Sequence, residues 1–118
     1  MPSLEIKEKF SGAVLISPWV TMSTTAESMH TNRAKDILSA ASLAYWAQNF
    51  LGGAALDPWN SPLGAPAEWW SSLRVEDLII IYGEDELLRD DTSMLCDKLK
   101  VLGFGTPHRV CCKLIYDF

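Results

Sequence analysis

Residues 77–91 read DLIIIYGEDELLRDD, and this stretch decides the fold. Four branched aliphatics, Leu78, Ile79, Ile80 and Ile81, run into Tyr82 without a polar interruption. Such a run does not alternate, so it predicts a strand covered on both faces, as in the interior of a parallel sheet. Gly83 lets the chain turn sharply at the carboxyl end of that strand. An acidic loop follows, Glu84-Asp85-Glu86, and then a helix over about 90–102. Asp90 or Asp91 can cap its start, where a carboxylate also favours the helix dipole. Leu95, Leu99 and Leu102 fall on one face of that helix, and Gly103 lies just past its end.

Upstream, residues 12–17 (GAVLIS) form a second apolar run, stopped by Pro18. Val14, Leu15 and Ile16 again lack polar alternation, so a second doubly covered strand is expected. Residues 20–36 are polar and irregular and read as a long loop. A helix is expected over about 39–51. Leu43, Trp46, Ala47 and Phe50 make one apolar stripe, Ser39 can cap the start, and Gly52-Gly53 ends it. Residues 56–70 hold Pro58, Pro62 and Pro66, which forbid a central strand or a regular helix, and three tryptophans suited to an ordered loop. A weaker strand over 109–115 closes the chain. The expected order is three parallel strands, about 12–17, 77–82 and 109–115, with helices about 39–51 and 90–102: an α/β class fold. Three strands are few for an open sheet, and the first would ordinarily pair with something before it.

The chain has 118 residues, room for one domain at most. It is 48% hydrophobic and 21% charged, which sets disorder aside. The net charge is −5 and no Lys/Arg run offers a nucleic-acid footprint, so that class of partner is not expected. Cys96, Cys111 and Cys112 are odd in number and irregularly spaced. Neither a disulfide framework nor a zinc site is read from them, and a reducing compartment is the expectation. No segment has the make-up of a signal peptide or the length of a membrane span, so a soluble, cytoplasmic protein is expected.

The order GAVLISPWV, then Ser28, Asn32 and Asp36, then the Trp46 helix, then SPLGAP with EWW, then IIIYGEDELLRDD resembles the alpha/beta-hydrolase fold-3 group, the hormone-sensitive-lipase-like esterases and lipases, particularly fungal ones. The resemblance covers residues 12–105. It implies that residues 1–118 are the C-terminal portion of a single alpha/beta-hydrolase domain. It also implies carboxylic-ester hydrolysis by a Ser-acid-His triad on a small-molecule ester, with no metal or organic cofactor. The family's G-x-S-x-G nucleophile elbow and HGGG-type oxyanion motif do not occur in this sequence. The family's D-x-L-R-D loop is matched by Glu86-Leu87-Leu88-Arg89-Asp90, so Glu86 takes the acid position. A carboxylate of either length can orient and balance an imidazolium. The family's histidine position falls at about Tyr116; His108 comes too early, and residues 109–118 depart from the family pattern.

Other residues read more simply. His30 and His108 are expected to be ordinary surface or loop histidines. Arg89, Asp90 and Asp91 are expected to cap and pair at the helix start. Ser17 ends a strand and Ser61 precedes a proline, so neither sits on a nucleophile elbow. Trp19, Trp59, Trp69 and Trp70 suit loop packing before a substrate pocket. Two functions stand side by side: an esterase-type hydrolase carrying its acid at Glu86, or a catalytically inactive fragment or pseudoenzyme. The second would act as an interaction module, self-associating through the unpaired edge of its first strand.

Overall fold

The computed structural model describes residues 8–101 and 109–115. Among them, strands β1 (Phe10–Ile16), β2 (Val75–Gly83) and β3 (Arg109–Ile115) form a sheet in the order β1-β2-β3. Both pairings are parallel. The excursion between β1 and β2 carries helices α1 (Ser28–Thr31), α2 (Ala40–Leu51) and α3 (Ala67–Ser71), with a 3-10 turn at Pro62–Gly64. Helix α4 (Arg89–Val101) links β2 to β3. The three strands and two long helices expected from sequence are all present, displaced by a residue or two at their ends.

The shifts have local causes. β1 stops at Ile16 because Ser17 adopts φ +49°, outside strand geometry, and Pro18 has no N–H to extend the ladder. The expected cap at Ser39 forms, its side chain accepting from Ser42 N–H at 3.1 Å. Gly52 ends α2 at φ +55°, where glycine escapes the steric penalty other residues meet. α1 and α3 correct the reading of 20–36 and 56–70 as plain loop. α3 starts directly after Pro66, the position where a helix tolerates the missing N–H.

The core lies on one side of the sheet. Leu78, Ile80 and Tyr82 of β2 pack with Val20, Ala65 and Trp70 and with Leu95, Cys96 and Leu99 of α4. Ile80, Leu95 and Leu99 are fully buried. Lys98 fastens α4 to the proline-rich segment, donating to the carbonyls of Leu63 (2.8 Å) and Ala65 (2.5 Å). The expectation that both strands are covered on both faces is corrected. Val14 and Ile16 of β1 are exposed, Ile79 of β2 is partly so, and β1 is an edge. The α2 stripe is likewise half covered: Leu43 and Ala47 are buried while Trp46 and Phe50 face outward.

The cysteine reading is also corrected. Cys96 on α4 and Cys112 on β3 form a disulfide, with Cα atoms 6.2 Å apart, a separation a bridge accommodates. Packing of α4 against the sheet brings together two positions that irregular spacing did not pair. No described helix is long and apolar enough to cross a membrane.

Candidate active site

Parallel pairing aligns the carboxyl ends of the strands. Ile16 lies beside Ile81, and Gly83 beside Ile115. Beyond that rim two backbone bonds continue the ladder: Ser17 N–H to Ile81 O at 2.7 Å, and Glu84 N–H to Ile115 O at 2.8 Å. The acidic loop therefore starts from a fixed point at the tip of the central strand. In open α/β sheets this is where binding and catalytic groups collect.

The loop is held by side chains from the excursion. Asn32, almost wholly buried, donates its amide to the carbonyls of Glu84 (2.9 Å) and Glu86 (2.7 Å). Asp36 accepts from Leu87 N–H at 2.8 Å and from Leu38 N–H at 3.0 Å. Ser28, fully buried, donates its hydroxyl to Leu87 O (2.6 Å) and accepts from Asp90 N–H (3.2 Å). Its own N–H reaches Asp90 Oδ2 at 2.8 Å. Each such bond contributes about 0.5–1.5 kcal/mol net, and removing one partner costs more, because the other is left buried and unpaired. Leu87 and Leu88 complete the anchor by packing with Met29 and Leu43, against Trp19 and Leu38.

Glu86 stands between these fixed points. Its Oε1 accepts a hydrogen bond from the Ser17 hydroxyl. Its Oε2 is buried and has no partner among the described residues. An open cleft of about 460 Å³ lies here, bordered by Ser17, Lys35, Asp36, Ile37, Glu86 and Leu88. Around it, Arg89 bridges Glu84 (3.3 Å) and Asp90 (2.9 Å). The Asp90 hydrogen bond, opposed by burial and helped by the charges of Asp90, Glu84 and Asp85, raises the guanidinium pKa, so Arg89 stays charged. Asp90 spends its carboxylate on Ser28 and Arg89. Asp91 is buried with Oδ2 unpartnered, and burial, then the charge of Asp90, pushes its pKa up. Lys35 and Asp85 pair at 3.1 Å on the surface, where such a bridge adds little.

The other candidates are dispersed. His30 is exposed on α1, its ring against Arg33. His108 and Tyr116 lie outside the described residues. Ser61 accepts from Met22 N–H at 3.3 Å, a structural bond. Trp70 is buried in the core and donates to Pro62 O at 3.2 Å, while Trp59 and Trp69 meet edge to face with centroids 5.4 Å apart. Among the described residues no group of three or more His, Cys, Asp or Glu could hold a metal ion. The contact that sequence reasoning missed is Ser17 to Glu86. Its one local sign is a serine placed between a strand and a proline.

Parallel strands joined by helices, with a clamped acidic loop beyond the tip of the central strand, define an open α/β fold. The chain belongs to the alpha/beta hydrolase fold family, whose model matches residues 3–118. Solved structures share the fold. EstE5 is 28% identical with a TM-score of 0.76, covering 91% of this chain and 34% of that one. An esterase/lipase from an uncultured bacterium is 30% identical with a TM-score of 0.75, covering 91% and 33%. An esterase from the bacterial hormone-sensitive lipase family is 29% identical with a TM-score of 0.70, covering 89% and 32%. The chain thus spans about a third of the length of these structures. No curated protein matches it.

Proposed function

We propose that this chain supplies the acid-bearing, C-terminal portion of a hormone-sensitive-lipase-like carboxylic-ester hydrolase, with Glu86 as the acid of a Ser-acid-His triad. One observation carries the reading. Glu86 sits beyond the tip of β2 with Oε1 engaged and Oε2 buried and, among the described residues, unpartnered: an unsatisfied acceptor that an imidazole N–H would fill. The likeness to esterases supports an ester as substrate. The 118 residues hold no G-x-S-x-G elbow, so the chain by itself is expected to leave p-nitrophenyl butyrate intact. The role of Glu86 is tested in a chimera, with residues 10–101 replacing the matching segment of a solved esterase. Turnover should survive the graft and fall on the order of 10⁴-fold in Glu86→Gln, as when a triad acid is lost. Equal rates with and without the carboxylate would end the assignment.

A second reading, an inactive interaction module, is favoured by a different observation. β1 is an edge strand with Phe10, Val14 and Ile16 exposed, a template for another chain. Light scattering across a concentration series should show self-association, relieved by Val14→Lys. A monomer at every concentration would dismiss this reading and leave the first untouched.

A further inference from the structure

Ser17 is the residue beside the cleft whose backbone and side chain both call for an explanation. Its φ of +49° lies in the left-handed region, which glycine enters freely and serine does not. That conformation is locked from outside, because its N–H is bonded to Ile81 O at 2.7 Å. A glycine would satisfy the turn with less strain. The serine hydroxyl contributes one thing glycine lacks, the hydrogen donated to Glu86 Oε1. A strained residue with a committed side chain is the pattern expected where geometry serves a site.

Glu86 needs such a partner. A glutamate side chain has several rotatable bonds, and ordering it costs conformational entropy. Among the described residues, Oε2 has nothing to hold it. The loop backbone is fixed by Asn32, but those bonds end at carbonyls and do not set the carboxylate. Ser17 does not sit on a G-x-S-x-G elbow, and its hydroxyl hydrogen is committed to Glu86 Oε1.

We propose that Ser17 is a positioning residue: by holding Oε1 it fixes the Glu86 carboxylate so that Oε2 remains the oxygen left to pair with an N–H donor. The catalytic sense of this role rests on the reading of Glu86 as triad acid; the coupling between the two side chains does not.

The test is made on the full chain with ¹³C-labelled glutamate, the Glu86 signals being assigned through Glu86→Gln. In the wild-type chain the Glu86 side chain should occupy one rotamer by its three-bond couplings. Ser17→Ala should average those couplings and move the Cδ resonance toward that of a free glutamate. Ser17→Gly relieves the backbone while removing the donor, so it should stabilise the fold relative to Ser17→Ala yet leave Glu86 averaged. A Glu86 side chain that stays ordered in Ser17→Ala or Ser17→Gly would overturn the proposal. If instead the couplings respond as stated and Glu86→Gln leaves the chimera's turnover unchanged, the triad reading fails while the Ser17–Glu86 coupling stands.

Discussion

The two faces of the sheet are built from the same residue types and meet opposite surroundings. On one face Leu78, Ile80 and Tyr82 are sealed beneath α4 and the proline-rich segment. On the other Val14 and Ile16 stand open, as does part of Ile79, in the same two strands and one residue away in sequence. An unbroken run of branched aliphatics therefore establishes a strand; it does not say how many layers cover it. The covered face derives its stability from burial and carries the site at its rim. The open face leaves β1 at the edge of the described sheet with its aliphatics exposed.

The sharpest way to break this contrast is a pair of truncations. Leu95→Ala, at a fully buried position, should lower stability by about 2–5 kcal/mol, the range for emptying a leucine-sized space in a core. Val14→Thr, on the open face, should stay within about 0.5 kcal/mol. Urea midpoints measure both. A Val14→Thr cost approaching that of Leu95→Ala would mean that the outer face is covered in solution, and would move weight to the self-association reading.

What was legible beforehand follows the range of the forces involved. Strands and long helices announce themselves through neighbours a few residues apart: the aliphatic run at 78–81, Ser39 before α2, Gly52 after it. Glu86 could be singled out because residues 86–90 match the D-x-L-R-D loop of the family the sequence resembles, in a loop that directly follows a legible strand. The clamp on that loop could not, since Ser28, Asn32 and Asp36 act on groups more than fifty residues away. The Ser17–Glu86 bond spans 69 positions and depends on register between β1 and β2. Which half of the α2 stripe is buried depends on where Leu87 and Leu88 pack, again a tertiary matter.

The disulfide sharpens the contrast from a second side, because it ties α4 to β3 on the covered face. Its partners are 16 residues apart, and closing a loop of that size is worth about 3 kcal/mol through the unfolded chain. Thermal melts with and without reductant should separate by that amount in the wild-type chain and coincide in the Cys96→Ser, Cys112→Ser double variant. Superimposable wild-type melts would show that packing alone holds α4 in place.

The smallest effect tests whether the covered side is well built throughout. Asp91 is buried on α4 with one oxygen unpartnered, and burial together with the Asp90 charge raises its pKa. The folded state then keeps the proton to a higher pH than the unfolded chain, whose aspartates release it near pH 4 (about 3.9). Stability is consequently greatest with respect to this group below pH 4. It declines as pH rises through the folded-state pKa and is level beyond it. Asp91→Asn removes the slope. Its fixed cost, an amide needing a new partner, is the same at every pH, so the informative quantity is the change in the difference between the two proteins. Across a series from pH 4 to pH 8 the variant should gain on the wild type in urea midpoint. A constant gap would mean that Asp91 finds a donor in solution, and that the covered side has no weak point at the foot of α4.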